Sequence, residues 1–214
     1  MSYSRFINRK TVNLDIFNKC TLECSKCYRQ FALQKDFITT ANFPGAPITD
    51  DEFKKIISFY NYISFCGQVS DPLMHPKLSY FLEQIYEQRK VAKVNTAISQ
   101  PTLKTYIKCF KANPDAFWVF GIDGLPKDSH KYRINQDGIK LFKIMMTAKE
   151  YLNPNRVKWQ YIIFKYNEND IKEAREIARR EQIKIEFIMS GRFTKDDPLR
   201  PSDKFMIERP EWKQ

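Results

Sequence analysis

Long apolar runs are absent: nowhere in the 214 residues does one approach the ~20 positions that a bilayer-crossing helix needs. The opening residues, Met-Ser-Tyr-Ser-Arg-Phe-Ile-Asn-Arg-Lys, also lack the apolar centre of a signal peptide. Cysteine is scarce and odd in number, five in all, with three grouped at Cys20, Cys24 and Cys27 and none after Cys109. That pattern excludes a secreted disulfide scaffold and leads us to expect a reducing, cytoplasmic compartment. Internal repeats, low-complexity linkers and recognisable nucleic-acid-binding modules are missing too.

Acidic residues run short, 25 against 36 lysines and arginines, for a net charge of +11. A basic surface attracts nucleic acid, an acidic peptide or an acidic electron donor. The positive residues are dispersed, however: Arg89 and Lys90 are followed by Val91 and Ala92 before Lys93, and Arg179-Arg180 lies beside Glu176 and Glu181. Such interleaving is the mark of solvated helix faces. Apolar residues make up 43% and aromatic ones 14%, enough for one compact domain with a sizeable core.

Six short, largely apolar runs read as buried strands, at residues 11–17, 62–66, 92–98, 116–122, 158–164 and 183–189. Segments of helical period separate them. Thr49-Asp-Asp-Glu52 has the form of a capping box and opens a helix to about Tyr60. Pro76 suits a first helical position, with Leu78, Phe81, Leu82 and Ile85 on one face and His75 as the cap. Further helices are expected at 102–111 and 138–152, and a fifth capped by Asn167 or Asn169. Alternation of this kind predicts βα units and a parallel sheet. Chemistry in such folds gathers at the carboxyl ends of the strands.

The first strand runs into Cys20-Thr-Leu-Glu-Cys24-Ser-Lys-Cys27. Three thiolates at C-x3-C-x2-C spacing can hold three corners of a four-iron cluster and leave the fourth iron open. A zinc site is the other reading of grouped cysteines, and it usually wants a fourth ligand that is not nearby. The spacing matches the defining motif of the radical S-adenosylmethionine (SAM) enzymes, and the chain resembles a member of that family. The resemblance implies an α/β fold, an open partial (βα)6 barrel with a parallel sheet. The core would take residues 1–190, and residues 191–214 would form an irregular tail with one short helical turn.

Other segments carry the resemblance further. Phe65-Cys-Gly-Gln-Val-Ser-Asp-Pro-Leu-Met-His-Pro76 is similar to the family's glycine-rich, acidic SAM-binding segment. Gly67 matches its glycine, and Asp71 stands where Glu is more usual, facing the SAM ammonium; a strand-to-helix loop with Asp-Pro punctuation is the alternative. Phe120-Gly-Ile-Asp-Gly124 resembles a Ser-Ile-Asp-Gly strand end. Gly121 replaces the Ser, which leaves Asp123 as the ribose contact or as a turn residue. Thr96-Ala-Ile-Ser99 stands where relatives have Thr-Asn-Gly, and Ser99 keeps a hydroxyl for the SAM site. Lys26 fills a slot that is often aromatic; Tyr28 either supplies the adenine-facing ring or packs. His130 sits on a loop that a substrate would meet, and Cys66 and Cys109 read as small buried hydrophobes.

The implied cofactors are a [4Fe–4S] cluster on Cys20, Cys24 and Cys27, and SAM. The implied reaction is reductive cleavage of SAM to a 5′-deoxyadenosyl radical that takes a hydrogen atom from a substrate. Many relatives that modify peptides carry further cysteines for auxiliary clusters, and none follows Cys109, so the chain resembles a minimal core. The implied open barrel leaves room for a large substrate, and a peptide or protein side chain is the first substrate reading. A nucleotide or nucleic acid comes second, favoured by charge. A non-catalytic iron–sulfur electron carrier or binding protein is the alternative of another class. Flavodoxin or ferredoxin is the expected electron donor, docking on Lys19, Lys26 and Arg29.

Overall fold

The computed structural model describes residues 10–35 and 38–206. Six parallel strands stand in chain order in one open sheet: β1 (Thr11–Leu14), β2 (Tyr62–Phe65), β3 (Val91–Thr96), β4 (Phe117–Gly121), β5 (Val157–Ile163) and β6 (Lys184–Met189). Each pairs only with its sequence neighbours, so among the described residues the sheet is not closed. The sequence expectation of an open six-unit α/β sheet is met, and all six strands lie where the apolar runs put them.

Strand residues alternate between two faces. In β3 the buried residues are Ala92, Val94 and Thr96; in β5 they are Val157, Trp159, Tyr161 and Ile163. These face the helices α2 (Asp50–Phe59), α3 (Leu78–Glu87), α4 (Leu103–Ala112), α5 (Gly138–Tyr151) and α6 (Ile171–Arg180). Large rings fill this layer: Phe53 stacks on Phe81 with centroids 4.2 Å apart, and Phe110 meets Trp118 edge-on at 4.7 Å. Trp159, fully buried, donates its indole N–H to the Ile122 carbonyl at 2.7 Å. Each such side chain contributes about 1.5–3 kcal/mol through burial.

The helix ends differ from expectation in instructive places. Thr49 and Glu52 form the full capping box that opens α2. Pro76 does not start α3. A 3₁₀ turn at Pro72–Met74 comes first, and α3 begins at Leu78 behind Lys77. His75 accepts the Lys77 N–H on Nδ1 at 3.1 Å and packs edge-on against Phe17. Asn167 is not the cap of α6, whose N-cap is Asp170. Its amide instead accepts from the Phe164 N–H at 2.8 Å and donates to the Ile162 carbonyl at 3.0 Å, closing the end of β5. A short helix, α1 (Tyr28–Leu33), follows the cysteines and had no counterpart in the sequence reading. The described segment after Met189 is irregular up to α7 (Asp203–Met206), and residues 207–214 of the expected tail lie outside the described residues.

Candidate functional site

Beyond Leu14 the chain leaves the sheet, and Asp15 turns back toward the loop after β2. Its carboxylate accepts the N–H groups of Gln68, Val69 and Ser70 at 3.1–3.2 Å, and the Ser70 hydroxyl at 2.9 Å. With those N–H groups drawn to Asp15, the Gln68 carbonyl is presented to the Cys27 Sγ, 3.8 Å away. Gly67 makes the turn at φ +58°, and a Cβ there would sit 2.6 Å from the Ser70 carbonyl oxygen. Only glycine fits. Arg29, buried, staples the two loops by donating to the carbonyls of Asn18 at 2.6 Å and Val69 at 3.3 Å. Its guanidinium also stacks on Phe43 at 4.1 Å, so Arg29 is not part of a docking surface, contrary to expectation.

Asp71 sits at the floor of this loop, 5% exposed. Its carboxylate accepts from the Leu73 N–H at 3.0 Å, the Thr96 hydroxyl at 3.0 Å and the Ala97 N–H at 2.9 Å. The ends of β2 and β3 are thereby tied together. Burial raises its pKa to about 6 even against those bonds. A cation brought near would be welcome.

The opposite wall is built on Arg133. Its Nε donates to Asp123 at 2.7 Å, and the other Asp123 oxygen accepts the Ile162 N–H at 2.7 Å. Asp123 is fully buried, and burial raises its pKa although Arg133 pulls it down. Burial works against the Arg133 charge as well, but Asp123 and Cys24 outweigh it and keep the guanidinium protonated. The guanidinium fills the space beside Gly121: a Cβ there would lie 2.9 Å from Nη2, and 3.4 Å from the Ala97 Cβ. Two small residues at the ends of β3 and β4 thus make room for one large cation.

Cys20, Cys24 and Cys27 line one cavity of about 400 Å³ with Gly67, Asp71, Asn95, Gly121 and Arg133. The far wall comes from Gln160, Ile188 and Ser190 to Arg192. Arg192 closes the rim, donating to the Lys26 carbonyl at 2.8 Å with its guanidinium 4.5 Å over the Tyr28 ring. Lys26 itself pairs with Asp197. All five cysteines are free thiols. Burial pushes the Cys20 thiol up to about 12, with Asp71 adding to it, and burial raises Cys24 although Arg133 pulls back. Such thiols become thiolates when a metal takes the charge. Among the described residues no three His, Cys, Asp or Glu are gathered for a single ion. A cluster asks for a different arrangement, one thiolate on each of three irons.

The cavity brings together the three cysteines, Gly67 and Asp71 from the sequence-predicted set. Three others lie off its lining. Buried Ser99 is not on the lining, and its hydroxyl accepts the Asp137 N–H at 2.8 Å. Asp123 reaches it only through Arg133. Tyr28 is 57% exposed, on the outside of the rim. His130 is exposed and also off the lining, whereas Cys66 lies on it. Cys109 is buried on α4, as expected. Asp15, Arg133 and Arg192 went unrecognised in the sequence. Asp15 had a signal, a carboxylate between the apolar Leu14 and Ile16. The smallness of Gly121 and Ala97 was the only trace of Arg133.

No protein-family model and no curated protein sequence matches the chain. Solved structures do. Streptococcus suis SuiB bound to S-adenosylmethionine aligns with a TM-score of 0.65 and 13% identity, over 90% of this chain and 43% of SuiB. Native anSMEcpe with bound AdoMet aligns at 0.61 and 10%, over 84% of this chain and 50% of anSMEcpe. Its complex with AdoMet and the Cp18Cys peptide aligns at 0.58 and 13%, with the same coverage of 84% and 50%. The chain spans half or less of the length of these proteins, 42–50%. Both SuiB and anSMEcpe are radical SAM enzymes. The open sheet of six parallel strands, with three cysteines in the loop after the first, thus shares the fold of SuiB and anSMEcpe.

Proposed function

We propose that this protein is a radical SAM enzyme that cleaves SAM reductively at a [4Fe–4S] cluster and modifies a peptide or protein side chain. One observation carries the reading: three cysteines, a glycine-turned loop of carbonyls and a partly buried arginine share one cavity at the carboxyl ends of the strands. The donor set suits both groups. Cys20, Cys24 and Cys27 would hold the cluster as thiolates, with one iron left for SAM. The Gln68 carbonyl and the negative charge of Asp71 lie on the side suited to the SAM ammonium. Arg133, charged, partly buried and paired with the buried Asp123, offers a guanidinium to the SAM carboxylate. When bound, the pair supplies a 5′-deoxyadenosyl radical for hydrogen abstraction; the protein positions it and keeps water out, with Leu22 and Tyr132 on the cavity wall. A peptide substrate is supported by the fold's occurrence in anSMEcpe, which has been solved with a bound peptide. The free thiols and the cluster suit a reducing cytoplasm, and no helix among the described residues is long and apolar enough to cross a membrane.

Anaerobic reconstitution tests the reading. We expect about four irons per chain. Cys20→Ala, Cys24→Ala or Cys27→Ala should each abolish the reduced EPR signal, and Cys109→Ala should leave it. Addition of SAM and reductant should release 5′-deoxyadenosine. A chain that holds the cluster yet forms no 5′-deoxyadenosine under any reductant would be an electron carrier, and the enzymatic reading would fall.

A further inference from the structure

The inner face of the sheet is not a packed core. In a closed (βα)8 barrel the inward positions are filled by bulky branched residues. Here the inward, partly open positions of β3 and β5 include Lys93, Asn95, Lys158 and Gln160 beside Val91 and Ile162, and β6 adds Lys184, Glu186 and Ile188. Asn95 and Gln160 reach the cofactor cavity. Lys93 stands two residues below Asn95 on the same face, about 7 Å farther from the strand ends.

Charge on this face does not balance. Lys158 pairs with Glu186 at 3.0 Å. The Lys93 ammonium makes no hydrogen bond or ion pair among the described residues. It is partly buried, and the groups it senses across the curved face are Lys158, Glu186 and Cys66, on β5, on β6 and just past β2. Burial and Lys158 both work against its charge. Lys184 lies on the same face but is exposed to solvent. Of the groups that Lys93 senses, the one carboxylate, Glu186, is already paired with Lys158, so Lys93 is the partly buried cation left over, just beneath the cavity that would hold SAM. A single partly buried ammonium suits a single carboxylate.

We propose that Lys93 is the anchor of a substrate carboxylate, bound on the concave face so that the neighbouring carbon chain rises past Asn95 toward the cofactor cavity. This deepens the proposed function and rests on it only for the direction of approach. The substrate class is a carboxylic acid, either an acidic side chain within a peptide or a free small acid.

Titration calorimetry on the cluster-loaded protein with SAM present tests it. The probes are acetyl-Gly-Ala-Glu-Ala-Gly-amide, its Gln counterpart, and acetyl-glutamic acid α-amide. Wild type should bind the Glu peptide at least tenfold more tightly than the Gln peptide. Lys93→Met should abolish the difference, Lys93→Arg should keep it, and the exposed-lysine control Lys104→Met should not change it. Glu186→Gln frees Lys158 and should strengthen Glu-peptide binding several-fold, which a purely structural Lys93 would not predict. Small-acid affinity equal to that of the peptide identifies a free acid as the source; much weaker affinity identifies the peptide. Equal binding of Glu and Gln peptides by wild type, or an unchanged preference in Lys93→Met, overturns the proposal. SAM is titrated separately in the same preparations. Loss of SAM binding with the carboxylate preference intact would count against the proposed function and leave the anchor standing.

Discussion

Gly121→Ser tests how tightly one residue is fitted to another. The new Cβ would lie 2.9 Å from the Arg133 guanidinium, which cannot retreat without loosening its 2.7 Å bond to Asp123. We expect a loss of about 1–3 kcal/mol in denaturant unfolding, the usual cost of overpacking a filled site. Arg133→Met should cost more, about 3–5 kcal/mol, because it leaves Asp123 buried and unpaired. The double variant should cost clearly less than the sum, since the crowding disappears with the guanidinium; strict additivity would refute the fit. Asp15→Ala belongs at this scale as well. It removes the acceptor of three backbone N–H groups, so SAM affinity should fall roughly tenfold or more by calorimetry, about 1.4 kcal/mol or more if one charged hydrogen-bonding network is lost.

Among the elements, the tail after β6 is held by two carboxylates. Ser202 donates to Glu168 through its N–H at 2.7 Å and its hydroxyl at 2.5 Å, and Lys165 joins them at 3.0 Å. Burial raises the Glu168 pKa, but these bonds outweigh it and the net shift is downward from 4.5; for Asp197 the Lys26 bond likewise outweighs burial. A lowered carboxylate pKa stabilises the docked tail fully above the unfolded value and loses its contribution as pH falls through the folded one. Protection from hydrogen exchange in residues 191–206, taken relative to the intrinsic rate at each pH, should therefore be high at pH 6 and fall below about pH 4.5, before that of the strands. Uniform acceleration across the sheet would refute a locally held tail. Elements were also the scale at which the sequence was easiest to read. All six strands lay under largely apolar runs, because each buries one face against the helices, although β3 and β5 carry polar residues on the other. The capping box was legible because both partners sit within four residues. Helix α1 was missed for the opposite reason: six residues with no capping side chain and little apolar period give no signal. The site was legible only where one short segment builds it. Cys20, Cys24 and Cys27 stood out by their spacing and Gly67 by its likeness to a glycine-rich binding segment, and all four line the cavity. Ser99 was misplaced, because its hydroxyl answers to the Asp137 N–H, 38 residues away, and spacing near Ser99 cannot report that.

For the whole molecule, the surplus of +11 is dispersed, and the proposed electron-donor face shrinks once Arg29 is buried and Lys26 is paired with Asp197. Lys19 is the exposed member that is left. If an acidic flavodoxin docks there, Lys19→Glu should slow its reduction of the cluster several-fold at low salt and converge with wild type near ~0.3 M. Equal stopped-flow rates at low salt would discard that face. The rim has a consequence in time. Arg192 grips the Lys26 carbonyl across 166 residues of chain, so the wall beside the cysteines is made long after the cysteines themselves. At ~5–20 residues per second the ribosome needs on the order of ten seconds to bridge that gap. If the three thiols take the proposed cluster, a nascent chain would offer them to iron and sulfide donors for that interval through an opening that Arg192 later narrows. A chain loaded after folding would have Arg192 in place from the start, and its reconstitution should be slower than that of Arg192→Ala.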